Sequence, residues 1–189
     1  MAHPGIHAVR RPDAPALIMA ADGETTTWAE LRRRSVAAAN ALHDLGLRAG
    51  DPVAFCLENR AEFAVLVWAC HDAGYRYTPI STRLTPDEVA YIVGDCGASV
   101  YLHSERTAAA SRAVAALAGV DHVIDIDDAG SFDLEDDSAP RYERSEGIGM
   151  LYSSGTTGKP KGVWRAAPDE PVEELGPADH AAARAFGIT

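Results

Sequence analysis

Cysteine is scarce in this chain, with three in 189 residues. Cys56, Cys70 and Cys96 are far apart, odd in number and flanked by apolar residues, which predicts buried free thiols in a reducing compartment and excludes a disulfide framework. No Cys-x-x-Cys or paired-histidine spacing supports a zinc site. The adjacent pair Cys70-His71 lies in an apolar helical segment, so we expect core packing there rather than a nucleophile and its base.

Basic side chains are also in deficit: 17 Lys and Arg face 28 Asp and Glu, a net charge of −11. This balance opposes nucleic acid or an anionic membrane as the main partner. The longest apolar run, residues 63–70, is too short to cross a bilayer, and the N-terminus has no apolar signal-peptide centre. We therefore expect no membrane span and a cytoplasmic protein.

Acidic residues concentrate in the segment 125–137, DIDDAGSFDLEDD. Its carboxylates lack the fixed spacing and required glycine of a calcium loop, which favours a solvated loop over a metal site. We assign no metal ligand in the chain, and we predict a surface loop or linker over residues 127–140.

Strand-like and helix-like segments alternate along the first 150 residues. After a short hairpin over residues 16–27, strands are expected at 53–57, 75–80, 99–102, 120–126 and 147–152. Helices are expected after Thr27, with Glu30 completing a capping box; after Asn59, with Glu62 in the same role; after Thr85; and over 106–117. The alternation predicts an α/β fold with a mostly parallel sheet flanked by helices, in one large domain or part of a larger one.

The segment 150–163, MLYSSGTTGKPKGV, differs from the rest of the chain because an apolar strand runs into hydroxyls, glycines and lysines. Hydroxyl groups and the backbone N–H groups near glycines suit an anion with several oxygens, such as a polyphosphate. The alternative is a polar hairpin turn with two exposed lysines. The spacing fits neither a Walker A loop, because Pro160 follows Gly158-Lys159, nor the glycine-rich loop of kinases.

This segment resembles the phosphate-binding signature of the adenylate-forming (AMP-binding) superfamily, which includes acyl-CoA synthetases. TTTWAEL at 25–31, LENRAEF at 57–63 and PISTRLTPDEVAYIVGDCGA at 79–98 are similar to early segments of that family, in the same order, and are most similar to the fatty-acid type. The resemblance implies the N-terminal part of the large domain of such an enzyme, with a phosphate-loop hairpin. It also implies ATP with Mg²⁺, a carboxylic acid and coenzyme A as small-molecule substrates. The residues it implies for phosphate binding are Ser153, Ser154, Gly155, Thr156, Thr157, Gly158 and Lys161. Lys159 is expected to face solvent.

The resemblance covers about residues 10–165. It implies that residues 1–165 form the N-terminal part of the AMP-binding domain and that 166–189 are an incomplete tail. The family's adenine-binding, ribose-binding and catalytic-lysine segments have no counterpart in this tail, so we assign no catalytic residue and expect the chain alone to be inactive. A nonenzymatic remnant, or a polyphosphate-binding fragment that needs a separately encoded remainder, is the alternative; a hydrolase of unrelated fold is a third. Exposed sheet edges predict self-association.

Overall fold

The computed structural model describes residues 4–128, 130–153 and 160–163. Its strands are β1 (Pro15–Ile18), β2 (Thr25–Thr27), β3 (Pro52–Cys56), β4 (Arg76–Pro79), β5 (Val100–His103), β6 (His122–Asp125), β7 (Ile148–Gly149), β8 (Leu151–Ser153) and β9 (Lys161–Val163). Its helices are α1 (Pro4–Arg10), α2 (Trp28–Asp44), α3 (Ala61–Ala73), α4 (Pro86–Cys96), a 3₁₀ helix (Glu105–Ala110) and α5 (Ser111–Ala115). The tail 166–189 lies outside the described residues.

A five-stranded sheet forms the centre, with strand order β6-β5-β3-β4-β7 and every neighbouring pair parallel. Alternate residues of β3 point to opposite faces: Val53 and Phe55 pack with α2 and α3, whereas Ala54 and Cys56 pack with α4 and α5. Helices therefore cover both faces. The predicted α/β fold with a mostly parallel sheet is confirmed, as is the antiparallel hairpin of β1 and β2.

Local capping explains where two of the helices begin. Thr27 caps α2 and Thr85 caps α4, each in a reciprocal capping box with the glutamate three residues later. The box predicted for Asn59 is wrong. α3 begins at Ala61 with Arg60 as its N-cap, which places Glu62 one position too early to reach back.

Two element boundaries also differ from expectation. The helix expected over 106–117 starts as a 3₁₀ turn, in which the Thr107 hydroxyl donates to the Cys56 carbonyl over 2.6 Å. The strand expected over 147–152 is divided at Met150, whose N–H still donates to the Tyr77 carbonyl at 2.8 Å. Beyond Met150 the chain leaves the parallel sheet and pairs antiparallel with β9.

The acidic segment packs back onto the helices. Phe132 is buried, with 7% of its surface exposed, and Arg60 and Arg33 form ion pairs with Asp127 and Glu135, each at 2.7 Å. Among the described residues, no group of three or more His, Cys, Asp or Glu side chains is arranged to hold a metal ion. Within the same residues no helix has the length and apolar character that a membrane span requires.

Candidate phosphate-binding site

The β8–β9 hairpin brings together two of the predicted site residues. Ser153 at the end of β8 lies directly opposite Lys161 at the start of β9, and both are exposed. Residues 154–160 therefore connect the two strands at this end of the hairpin. Its predicted site residues Ser154, Gly155, Thr156, Thr157 and Gly158 lie outside the described residues.

Side chains pack closely against Gly162 on one face of the hairpin. Gly162 lies opposite Tyr152, and a Cβ added there would stand 3.1 Å from Cζ of the Tyr152 ring and would overlap Cε of Met150. Met150 is itself buried, so it has little room to move. The opposite face differs, because the paired residues Leu151 and Val163 are each 60% exposed.

Helix α4 holds the hairpin through hydroxyl groups. The Tyr152 hydroxyl donates to Oδ2 of Asp95 at 2.6 Å. The Tyr91 hydroxyl lies 3.4 Å from the carbonyl oxygen of Pro160, and 3.5 Å from Oδ1 of Asp95. Burial, together with the hydrogen bond to Asp95, raises the pKa of the Tyr152 phenol, so the hydroxyl stays protonated as a donor at neutral pH. Sequence analysis missed this contact, because nothing local relates Asp95 to a strand 57 residues further on.

The Cys70-His71 pair does not form a nucleophile and base. Cys70 is fully buried, and burial raises the pKa of its thiol. The His71 ring instead contacts Glu146 through Nδ1 at 2.8 Å and the Tyr77 hydroxyl through Nε2 at 3.0 Å. The three cysteines are buried free thiols, as the sequence predicted.

A second concave region lies at the carboxyl ends of β3 and β4. The loop after β3 leads to α3 on one face of the sheet, and the loop after β4 leads to α4 on the other. Such a switch point is a common binding position in open α/β sheets. The cavity there measures about 620 Å³, and its polar lining includes Glu58, Asn59, Ser81, Thr82, Arg83 and Arg106.

A parallel sheet with helices on both faces is the layered architecture of α/β proteins. The model of the AMP-binding enzyme family matches residues 6–167. The chain belongs to this family.

Three relatives show which kinds of enzyme the chain is similar to. Feruloyl-CoA synthase from Amycolatopsis sp is 36% identical over 145 residues, or 75% of this chain and 28% of the relative. Long-chain-fatty-acid–CoA ligase FadD13 from Mycobacterium tuberculosis is 31% identical over 145 residues, or 72% of this chain and 29% of the relative. The structure of o-succinylbenzoate CoA synthetase from Bacillus subtilis with the acyl-adenylate intermediate OSB-AMP matches with a TM-score of 0.65 and 29% identity, over 85% of this chain and 40% of that chain.

These relatives are acid–CoA ligases that differ in the acid, which is aromatic in one and a long-chain fatty acid in another. The chain spans less than a third of the length of the two curated relatives, at 28% and 29%.

Proposed function

We propose that the chain provides the polyphosphate-binding part of an ATP-dependent ligase that activates a carboxylic acid and transfers it to coenzyme A. The observation that carries the proposal is the register of the hairpin: Ser153 faces Lys161 across the mouth of the segment whose sequence suits phosphate oxygens. The rest of the chain offers a parallel sheet that supports this hairpin through α4.

In the proposed reaction, a carboxylate oxygen attacks the α-phosphorus of ATP, the bond to the bridging oxygen breaks, and pyrophosphate leaves. The thiol of coenzyme A then attacks the acyl carbonyl, and AMP leaves with the electrons of the acyl–oxygen bond. The residues 153–158 and Lys161 act in the first step only. Backbone N–H groups, hydroxyl groups and one ammonium group stabilise the charge that collects on the departing pyrophosphate.

The acid that we propose is of the fatty type. The quoted segments are most similar to that branch of the family, and FadD13 is among the relatives. Feruloyl-CoA synthase has the higher sequence identity, 36% against 31% for FadD13, so an aromatic acid is the competing substrate. A panel that contains both kinds of acid separates the two.

Coenzyme A also carries phosphates, and we propose the cavity at the ends of β3 and β4 as the place that receives them. Two guanidinium groups, those of Arg83 and Arg106, line this cavity in a chain with a net charge of −11. Arginine suits phosphate because its planar N–H groups match two oxygens at once. Replacing either arginine with alanine is expected to weaken coenzyme A binding without changing ATP binding.

Because the chain spans under a third of its curated relatives, the activity of the whole protein is part of the proposal. We propose that residues 1–165 form the N-terminal part of the AMP-binding domain and that catalysis requires the family's later segments. The three buried free thiols suit the reducing interior of a cell, in line with the expected cytoplasmic location.

Calorimetry tests the proposal on the chain itself. We expect the 189-residue chain to bind Mg-ATP and inorganic tripolyphosphate in the millimolar range or tighter, and to bind AMP at least tenfold more weakly, because AMP lacks the β- and γ-phosphates. Equal binding of AMP and ATP would contradict the assignment of the loop to those phosphates. Pyrophosphate exchange with fatty and aromatic acids then tests catalysis, and exchange by this chain alone would overturn the expectation that it is inactive.

A further inference from the structure

We propose that Asp95 is a positioning residue: its carboxylate accepts the Tyr152 hydroxyl, fixes the β8 arm of the β8–β9 hairpin on helix α4, and so holds the proposed phosphate-binding residue Ser153 in place. This inference rests on the proposed function for the identity of the ligand. The anchoring itself is a property of the fold and is testable without any ligand.

The geometry gives each arm of the hairpin its own contact with α4. On the arm that enters the loop, Tyr152 donates to Oδ2 of Asp95 over 2.6 Å. On the arm that leaves it, the carbonyl oxygen of Pro160 lies 3.4 Å from the Tyr91 hydroxyl, which is itself 3.5 Å from Oδ1 of Asp95. Tyr91 has one hydroxyl proton for these two acceptors, so the contact with Pro160 does not depend on Asp95. The short bond from Tyr152 is the contact that the Asp95 carboxylate makes with the hairpin.

The residue that Asp95 holds lies at the start of the proposed phosphate-binding run, and the residue near Tyr91 lies at its end. Tyr152 directly precedes Ser153, and Pro160 directly precedes Lys161. Preorganised donors bind a polyanion better than donors that must first be ordered, because the ordering entropy is already lost. The anchor thus acts on affinity through geometry, because the contact between Asp95 and Tyr152 fixes the residue that precedes Ser153.

A carboxylate at position 95 is electrostatically unfavourable, and a role in anchoring the hairpin explains its presence. It lies in the last turn of α4, which ends at Cys96, and the negative end of the helix dipole disfavours a carboxylate there. It also adds negative charge close to the strand that leads to a site for an anion. Electrostatics alone therefore predicts that removing the charge of Asp95 strengthens ATP binding. Anchoring predicts that ATP binding weakens when the hydrogen-bond acceptor is removed together with the charge.

The variants Asp95→Ala, Asp95→Asn and Tyr152→Phe separate these two effects. Asp95→Ala removes charge and acceptor together, and Tyr152→Phe removes the donor but keeps the ring beside Gly162. Asp95→Asn removes the charge and keeps an amide oxygen that can accept from Tyr152. The matched control is Tyr142→Phe, which removes the hydroxyl that donates to buried Asp72 elsewhere in the fold.

Hydrogen exchange measured by mass spectrometry on the full chain, without ligand, reports the anchoring. We expect the backbone amides of 151–153 and 161–163 to exchange about tenfold faster in Asp95→Ala and Tyr152→Phe, and at the wild-type rate in Asp95→Asn and Tyr142→Phe. Unchanged exchange in both Asp95→Ala and Tyr152→Phe would overturn the anchor.

Calorimetry with Mg-ATP and tripolyphosphate reports its effect on binding. We expect Kd to rise about five- to tenfold in Asp95→Ala and Tyr152→Phe, while Asp95→Asn stays within twofold of wild type, a rescue that a charge effect does not give. Faster exchange with unchanged Kd would overturn the positioning role, and so would tighter binding by both Asp95 variants. Failure of the wild-type chain to bind either ligand would instead contradict the proposed function, and the anchor is then decided by the exchange rates alone.

Discussion

The fully buried carboxylate of Asp72 on α3 is bound by the guanidinium of Arg144, whose Nε donates to Oδ1 at 2.8 Å. Arg32 on α2 donates to the other oxygen at 2.7 Å. One buried charge thus joins two helices to the segment that leads into β7. Burial acts to raise the pKa of Asp72, but the hydrogen bonds and charges of its partners outweigh it, and the pKa lies below its usual value.

Replacing Asp72 with asparagine is expected to destabilise the fold by about 3 kcal/mol, because two arginines lose the charge that compensates them. Chemical denaturation monitored by circular dichroism measures this loss. Asp44→Asn is the control, since Asp44 pairs with Arg141 at 2.8 Å on the exposed surface, and a much smaller change is expected there. Equal losses of stability in the two variants would show that the buried cluster stabilises the fold no more than an exposed ion pair does.

Gly147 is expected to tolerate no side chain. A Cβ at this position would overlap the carbonyl oxygen of Cys70, which belongs to the backbone of α3 and cannot turn away. We expect Gly147→Ala to cost about 3 kcal/mol or more and to weaken the pairing of β7 with β4. Gly94→Ala, within α4, is the matched control. Its Cβ would lie 3.8 Å from the Leu117 side chain, an ordinary contact, so we expect the free energy of unfolding to rise by up to about 1 kcal/mol. Thermal melting curves of the two variants test this prediction, and a loss of stability in both variants would contradict it.

Stability should fall with acid in a defined window because of Glu62. Its burial acts to raise the pKa, but hydrogen bonds from Arg60 and Arg34 lower it to about 2 from 4.5. A carboxylate with a depressed pKa stabilises the fold above its unfolded pKa, and this contribution is lost as the pH falls from about 4.5 towards about 2. We expect Glu62→Gln to be less stable than wild type at pH 7 and to approach it at pH 2 to 3. Melting temperatures that differ by the same amount at every pH would contradict this.

The exposed pair Leu151 and Val163 is expected to promote self-association. Their side chains lie side by side on the hairpin, each 60% exposed, and hydrophobic cross-strand pairs near an open edge favour contacts between chains. Changing both to lysine should shift the chain towards a smaller species in light scattering. Val9→Lys removes an apolar residue of α1 that is even more exposed, at 85%, and should change nothing. A wild-type chain that is already monomeric would contradict the expectation.

Features set by neighbouring residues were predictable from the sequence, and features set by distant ones were not. The Thr27 box and the helix that begins after Thr85 depend on a few consecutive residues, and both were predicted correctly. The Asn59 box failed because α3 begins at Ala61 with Arg60 as its N-cap, and Glu62 is bound by Arg60 and by Arg34 of α2. The segment that we propose to bind phosphate was recognisable as a continuous motif.

The supports of that segment were not recognisable. Asp95 is linked to Tyr152 across 57 residues, and no periodicity signals a contact of that range. The division of the last strand at Met150 also depends on tertiary structure, because an apolar run does not show which of two sheets its residues join. α1 was missed as well; it packs through His7 on Trp28, with ring centroids 4.4 Å apart.

We propose that the segment framed by Ser153 and Lys161 binds the phosphates of ATP. Titration of Mg-ATP into the variant Lys161→Ala tests this binding most directly. Lys159→Ala is the control, because it removes the same charge two residues away at a position expected to face solvent. We predict that Lys161→Ala raises Kd about tenfold or more, as the loss of a charge-assisted hydrogen bond implies, while Lys159→Ala stays within twofold of wild type. Equal effects of the two substitutions, or no effect of either, would contradict the account.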